Sequence, residues 1–247
     1  MNFKYQINKA FRQATGYQFS KPYSFLEDSR LNVSEKNIYS KVASRTMTNP
    51  NSIANLIAAT KYVNERKLKG AFVECGVWRG GSAMAFCLSS LEQGIENRDL
   101  FLLDTYEGFS QVDEKDFEIS NGKKASELLK IDENYLCYAN VDDVKLGMQE
   151  TDYPVDKIHY LIGDVVKTDL TSLPKEIAIL RLDTDYYDST KWELENLFPR
   201  LVPGGVLIID DYDHWNGCRQ ACDEYFQGKD SIFLIQMQYG RIMIKNG

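Results

Sequence analysis

After residue 70 the chain alternates short apolar runs with amphipathic stretches, the rhythm of βαβ units that pair into a parallel sheet. The apolar runs predict strands at 71–75 (AFVEC), 100–104 (LFLLD), 158–162 (IHYLI), 177–183 (IAILRLD), 205–210 (GVLIID), 231–235 (SIFLI) and 241–245 (RIMIK). Apolar residues spaced three and four apart predict helices between them, over about 82–94, 122–130, 140–149, 188–201 and 216–227. An earlier helix over 51–68, with Ile53, Leu56, Ile57 and Val63 on one side, precedes the first strand and covers one face of the sheet. The last two strands are joined by QMQYG, too short for a helical crossover, so one strand near the C-terminus must run in reverse. The expected class is α/β, with a mostly parallel seven-stranded sheet.

Composition narrows this further. With 247 residues and 43% hydrophobic content, the chain can bury one large core, and a single main domain is expected. Residues 1–45 are rich in Tyr, Phe, Asn and Ser and read as an N-terminal extension, cap or dimer arm ahead of a domain over 46–247. A net charge of -7 argues against a phosphate-backbone binder, which relies on clustered Lys and Arg, so nucleic acid is not an expected partner. No run approaches the ~20 apolar residues of a membrane span, the start lacks a signal-peptide core, and a cytoplasmic location is the expectation. The five cysteines, Cys75, Cys87, Cys137, Cys218 and Cys222, are read as reduced thiols. His214, Cys218 and Cys222 recur every four residues but would span about 12 Å of helix, too far to share one zinc. Buried thiols on a core face are the better account. The acid-rich stretch 106–124 suits either a lid or a solvated loop.

The chemistry gathers in three places. FVECGVWRGGSA, residues 72–83, sets Gly76, Gly80 and Gly81 between a strand and a helix start near Ser82. Glycines there permit close backbone approach to a ligand, but the spacing departs from the dinucleotide pattern G-x-G-x-x-G. Asp104, ending the second strand, is placed to accept hydrogen bonds from a ribose. Glu74 would repel a pyrophosphate yet suits a cationic amino-acid moiety, and Asp164 in IGDV is placed to meet an adenine amino group. Together these favour S-adenosylmethionine, which carries a sulfonium and no phosphate. Finally, LRLDTD and VLIIDDYDHW bring Asp183, Asp210 and Asp211 to the carboxyl ends of adjacent strands. Three such acids with no basic neighbour call for a hard divalent cation, Mg2+ first. The competing account makes Asp185, Asp188 and Asp213 helix caps; it is accepted for Asp188 and left open for Asp185 and Asp213.

The blocks RTMT, FVECGVWRGGS, LLDTYEGF, LRLDTDYYDSTKWELENLFPRLVPGGVLIIDDY and CRQACDEYF resemble the macrocin O-methyltransferase family of S-adenosylmethionine- and Mg2+-dependent sugar O-methyltransferases. The resemblance covers roughly residues 45 to 227. It implies a Rossmann-like class I methyltransferase sandwich, an acceptor that is a small molecule or glycan bearing a sugar hydroxyl, and a homodimer. It also implies that Glu74, Gly76, Val77, Trp78 and Ser82, with Met47 nearby, line the donor's amino-acid end, that Asp104 holds its ribose, and that Asp164 and Val165 hold its adenine. Asp183, Asp210 and Asp211 would ligate the metal, and Asp183 would be the base. Only two histidines are present, His159 and His214, and Tyr186 and Tyr187 follow LDTD, which disfavours a histidine base. The rival readings are a catechol-type methyltransferase, a non-catalytic donor-binding protein and, more distantly, a nicotinamide enzyme.

Overall fold

The computed structural model describes residues 30–108, 112–131, 137–228 and 233–247. The chain forms two compact units, Met1–Asn32 and Val33–Gly247, and the second holds every element below. In chain order these are α1 (Val33–Val42), α2 (Pro50–Glu65), β1 (Ala71–Cys75), α3 (Gly81–Leu91), β2 (Leu100–Asp104), α4 (Ala125–Ile131), α5 (Val141–Gln149), β3 (Ile158–Ile162), β4 (Ile177–Leu182), α6 (Tyr187–Asn196), β5 (Leu201–Ile209), α7 (Asn216–Phe226), β6 (Ile235–Gln236) and β7 (Arg241–Ile244).

The seven strands order as β3-β2-β1-β4-β5-β7-β6. Neighbours from β3 to β5 are parallel, and β7 runs antiparallel to both β5 and β6, as the short QMQYG link requires. Strand order reverses between β1 and β4. In an open α/β sheet that reversal opens a crevice beyond the carboxyl ends of the strands.

Alternation of side chains along each strand builds two cores. Phe72, Leu100, Leu102, Ile179, Val206 and Ile208 pack on one face beneath α1, α2, α3 and α5. Val73, Cys75, Leu180, Leu182, Leu207 and Ile209 pack on the other beneath α6 and α7. β1 and β4 are buried along their whole length, so both are flanked and covered as central parallel strands should be. Cys218 and Cys222 lie buried in the second core, while His214 precedes α7.

The largest departures from the expected boundaries lie around α6, β5 and β6. The helix begun at Tyr187 ends at Asn196 rather than 201, and a 3-10 turn, Phe198–Arg200, leads directly into β5 at Leu201. Pro199 is the physical reason, since it brings no N–H and its ring clashes with the preceding turn. Of the strand expected at 231–235, residues 231–232 lie outside the described residues, and β6 begins at Ile235. The stretch expected as lid or solvated loop is pinned where it is described. Asp116 and Glu118 are buried, and isolated bridges join Phe117 to Lys124 and Glu118 to Trp215.

Candidate active site

Register places the acids. Cys75 pairs with Leu182 and Leu182 with Ile209, so the next residues, Gly76, Asp183 and Asp210, lie level at the rim. The Asp183 N–H donates to Cys75 O (2.9 Å), and the Asp210 N–H donates to Leu182 O (2.9 Å). Gly76, with φ +80°, is forced by this approach: a Cβ there would lie 1.9 Å from the Asp183 carbonyl oxygen.

Parity then decides which side chains meet. Glu74 pairs with Arg181, and Asp183 follows Arg181 by two, so all three project from one face; Asp210, two past Ile208 on β5, joins them. Arg181, only 2% exposed, donates through Nη1 to Glu74 Oε1 (2.8 Å) and Asp183 Oδ2 (2.6 Å), and through Nη2 to Thr48 Oγ1 (2.9 Å). Nη2 also lies 3.1 Å from Asp210 Oδ2. The expectation of acids without a basic neighbour is therefore corrected: a buried guanidinium sits inside the cluster.

One cation does not balance the site. Glu74, Asp183 and Asp210 face Arg181, and Asp185 and Asp211 stand beside them, close enough that their like charges oppose ionisation of Asp183, Asp185 and Asp210. Burial, opposed by Arg181, pushes Asp183 up to about 6 and Asp210 up to about 7. Burial, reinforced by Asp211 and Asp183, holds Asp185 well above the usual carboxylate range. Burial likewise pushes Glu74 up to about 8. Among the described residues no three His, Cys, Asp or Glu side chains form a ready-made metal cluster. The donor chemistry nonetheless fits a hard cation, because the acids are all oxygen ligands in excess of their counter-charge and Asp211 Oδ2 is buried without a hydrogen-bond partner among the described residues.

These acids form one wall of a cavity of about 840 Å³, a size suited to a cofactor with its acceptor. A second, neighbouring wall comes from the β1–α3 turn and the β2 end, with Gly76, Val77, Trp78, Ser82 and Asp104. Met47, 62% exposed, stands at this cavity too, as do Asp164 and Val165. Glu74 does not reach the lining; it is 1% exposed, and its Oε2 has no partner among the described residues. Asp104 organises loops: its Oδ2 accepts from the N–H of Val77 (2.6 Å) and Trp78 (3.1 Å), and its Oδ1 from the N–H of Tyr106 (2.7 Å). Those bonds hold Trp78 and Tyr106 at φ +45° and +55°, conformations that cost non-glycine residues free energy. Asp164 accepts from the Val166 N–H (3.2 Å) and pairs with Lys167.

The capping question resolves differently from the sequence account. α6 takes its cap from a distant residue: Asp116 Oδ1 accepts from the Tyr187 N–H (2.9 Å), and the N-cap residue Tyr186 supplies none. Asp213 is held by Arg219 and Arg241. Asp185, with φ +68°, lines the cavity. His214 lies with Nδ1 3.7 Å from Asp211 Oδ1 and Nε2 3.6 Å from Glu118 Oε1, and these acids, Asp211 foremost, raise its pKa.

Sequence reasoning missed Arg181, Thr48 and Asp116. Arg181 had a visible signal, since a charged residue inside an otherwise apolar buried strand requires partners on its own face. Thr48 and Asp116 act through contacts between residues far apart in the chain, which no local pattern reveals.

Comparison with known proteins agrees with this architecture. The macrocin-O-methyltransferase (TylF) family model matches residues 6–233, so the likeness extends into the N-terminal segment that had shown none. The 8-demethyl-8-(2,3-dimethoxy-alpha-L-rhamnosyl)-tetracenomycin-C 4'-O-methyltransferase of Streptomyces olivaceus is 32% identical over 181 residues, covering 73% of this chain and 67% of that protein. The demethyldecarbamoylnovobiocin O-methyltransferase of Streptomyces niveus is 28% identical over 193 residues, covering 77% and 72%. The solved O-methyltransferase NovP shares the fold, with a TM-score of 0.72 at 24% identity over 82% of this chain and 83% of that one. The reversed strand in an otherwise parallel seven-stranded sheet is the class I methyltransferase fold, and the chain is an O-methyltransferase belonging to the macrocin-O-methyltransferase family.

Proposed function

We propose that the enzyme transfers a methyl group from S-adenosylmethionine to a sugar hydroxyl of a glycosylated small molecule or polysaccharide precursor, and that its active form holds Mg2+. The observation that carries this reading is one cavity with two unlike walls: a glycine turn braced by Asp104, and a set of aspartates on the ends of β4 and β5. The names of the relatives, which act on rhamnosyl-tetracenomycin and novobiocin precursors, supply the acceptor class.

Gly76, Val77, Trp78, Ser82 and Met47 would surround the amino-acid end of the donor, and Asp164 and Val165 its adenine. Asp104 orders the ribose side by fixing both loops, and any hydrogen bond it gives the donor is additional to those it already accepts. Glu74 acts from beneath the floor through Arg181. Asp183, Asp210 and Asp211 would hold the cation, which supplies Lewis acidity to a hydroxyl and offsets the repulsion among the acids. Asp183 would take the acceptor proton. Methyl transfer neutralises a sulfonium, so the walls contribute chiefly by orienting the two reactants and excluding water.

Adenosylhomocysteine formation tests this reading, with glycosides and catechols as paired acceptors, before and after chelation and after Mg2+ is restored. Turnover of glycosides that chelation abolishes and Mg2+ restores is expected. Preference for catechols would favour the phenolic alternative, and full activity after chelation would remove the cation from the account.

A further inference from the structure

The Arg181 cluster has a property beyond charge balance. Its guanidinium bonds to four chain segments at once: the loop before α2 through Thr48, β1 through Glu74, and the ends of β4 and β5 through Asp183 and Asp210. Thr48 lines the cavity beside Met47. Its N–H donates to Thr46 Oγ1 (3.0 Å), and Asn49 next to it caps α2 by accepting from the N–H groups of Asn51 and Ser52. Those bonds tie the Thr48 loop to the start of α2. The guanidinium and Glu74 are both almost fully buried, and among the described residues Glu74 Oε2 has no hydrogen-bond partner, so the cluster keeps one polar atom unsatisfied beneath the cavity floor.

We infer that Arg181 is a positioning residue through which the donor wall and the carboxylate wall act on each other, so that binding of the donor nucleoside and of a divalent cation reinforce one another. This rests on the donor and cation sites of the proposed function. A cation held by Asp183 and Asp210 weakens their attraction for the guanidinium and leaves more of its charge to Glu74 and to the Thr48 loop. Each ligand then finds part of its site already ordered by the other. The planar fork of arginine can serve four partners in fixed directions, whereas a lysine ammonium there cannot.

Calorimetric titration with adenosylhomocysteine, in the absence of Mg2+ and at saturating Mg2+, reads the coupling directly, and the reverse titration must return the same factor. The wild-type enzyme is expected to bind adenosylhomocysteine tighter with Mg2+ by about fivefold or more. Arg181→Lys should bring the ratio close to one. Thr48→Val, which leaves every carboxylate and Arg181 in place, should also bring it close to one while retaining Mg2+ binding to the protein alone. A purely structural Arg181 would lower stability without changing the ratio. Two ligands that both bind the wild type with a ratio near one, or a ratio unchanged in Thr48→Val, overturn the inference and leave the proposed sites standing. Absence of any Mg2+ binding overturns the cation site and the inference with it.

Discussion

The two walls of the cavity solve opposite electrostatic problems. At the β1–β2 end a single carboxylate, Asp104, meets three backbone N–H groups, and glycines let the chain come close; both oxygens of that carboxylate are satisfied. At the β4–β5 end, Asp183, Asp185, Asp210 and Asp211 crowd around one buried arginine, and Asp211 Oδ2 is left without a partner. A satisfied wall provides shape, and an unsatisfied one provides reactivity. Substitutions on the first should therefore change geometry and affinity, whereas those on the second should change chemistry and its dependence on cations and protons.

The sharpest test of this contrast is Asp183→Asn, expected to lower turnover by about 10²–10⁴-fold while adenosylhomocysteine affinity measured without Mg2+ stays within a few fold. Equal loss of both would place Asp183 on the shape-giving side and break the distinction. Arg181→Met removes the buried guanidinium from a set of acids and should cost roughly 3–5 kcal/mol, measured by denaturant unfolding; a cost near zero would mean the acids are neutral without it. Asp104→Ala strands buried N–H groups, each worth about 1–3 kcal/mol. Its expected signature is adenosylhomocysteine binding weakened by roughly tenfold or more, with Mg2+ binding unaffected, and an equal loss of Mg2+ binding would erase the division between the walls.

The smallest effect comes from behind the acidic wall. Glu193 is fully buried, accepts from Thr184 Oγ1 (3.0 Å), and burial pushes its pKa up to about 8 from 4.5. A raised carboxyl pKa means the folded chain keeps a proton that the unfolded chain loses. The stability it lends is full below the unfolded pKa and is lost as pH rises through about 8. Glu193→Gln should therefore gain melting temperature relative to wild type as pH rises from 5 toward 9 (the range is about that of the shift). Parallel melting curves across that range would show that Glu193 carries no such proton.

Much of this molecule was legible from its alternation of apolar and polar residues. The central strands at AFVEC, LFLLD, IHYLI and IAILRL fall where the runs predict, because central parallel strands must be apolar on both faces. The helix after LDTD runs shorter than its pattern because Pro199 stops it. The rim acids were legible from strand-end position, and their shared face follows from counting by twos along Glu74, Arg181, Asp183 and Asp210. The identity of their counter-charge was missed because Arg181 reads as one more position in a buried strand. Asp116 was beyond local reasoning: its partner, the Tyr187 N–H, lies 71 positions away.

Asp116 also shapes what that end of the cavity can receive. Its carboxylate fills the start of α6, where free N–H groups would otherwise attract a negative guest. It presses so closely on α7 that a Cβ at Gly217 would fall 1.9 Å from its oxygen. The seat a helix commonly offers to an incoming anion is here occupied by the protein itself.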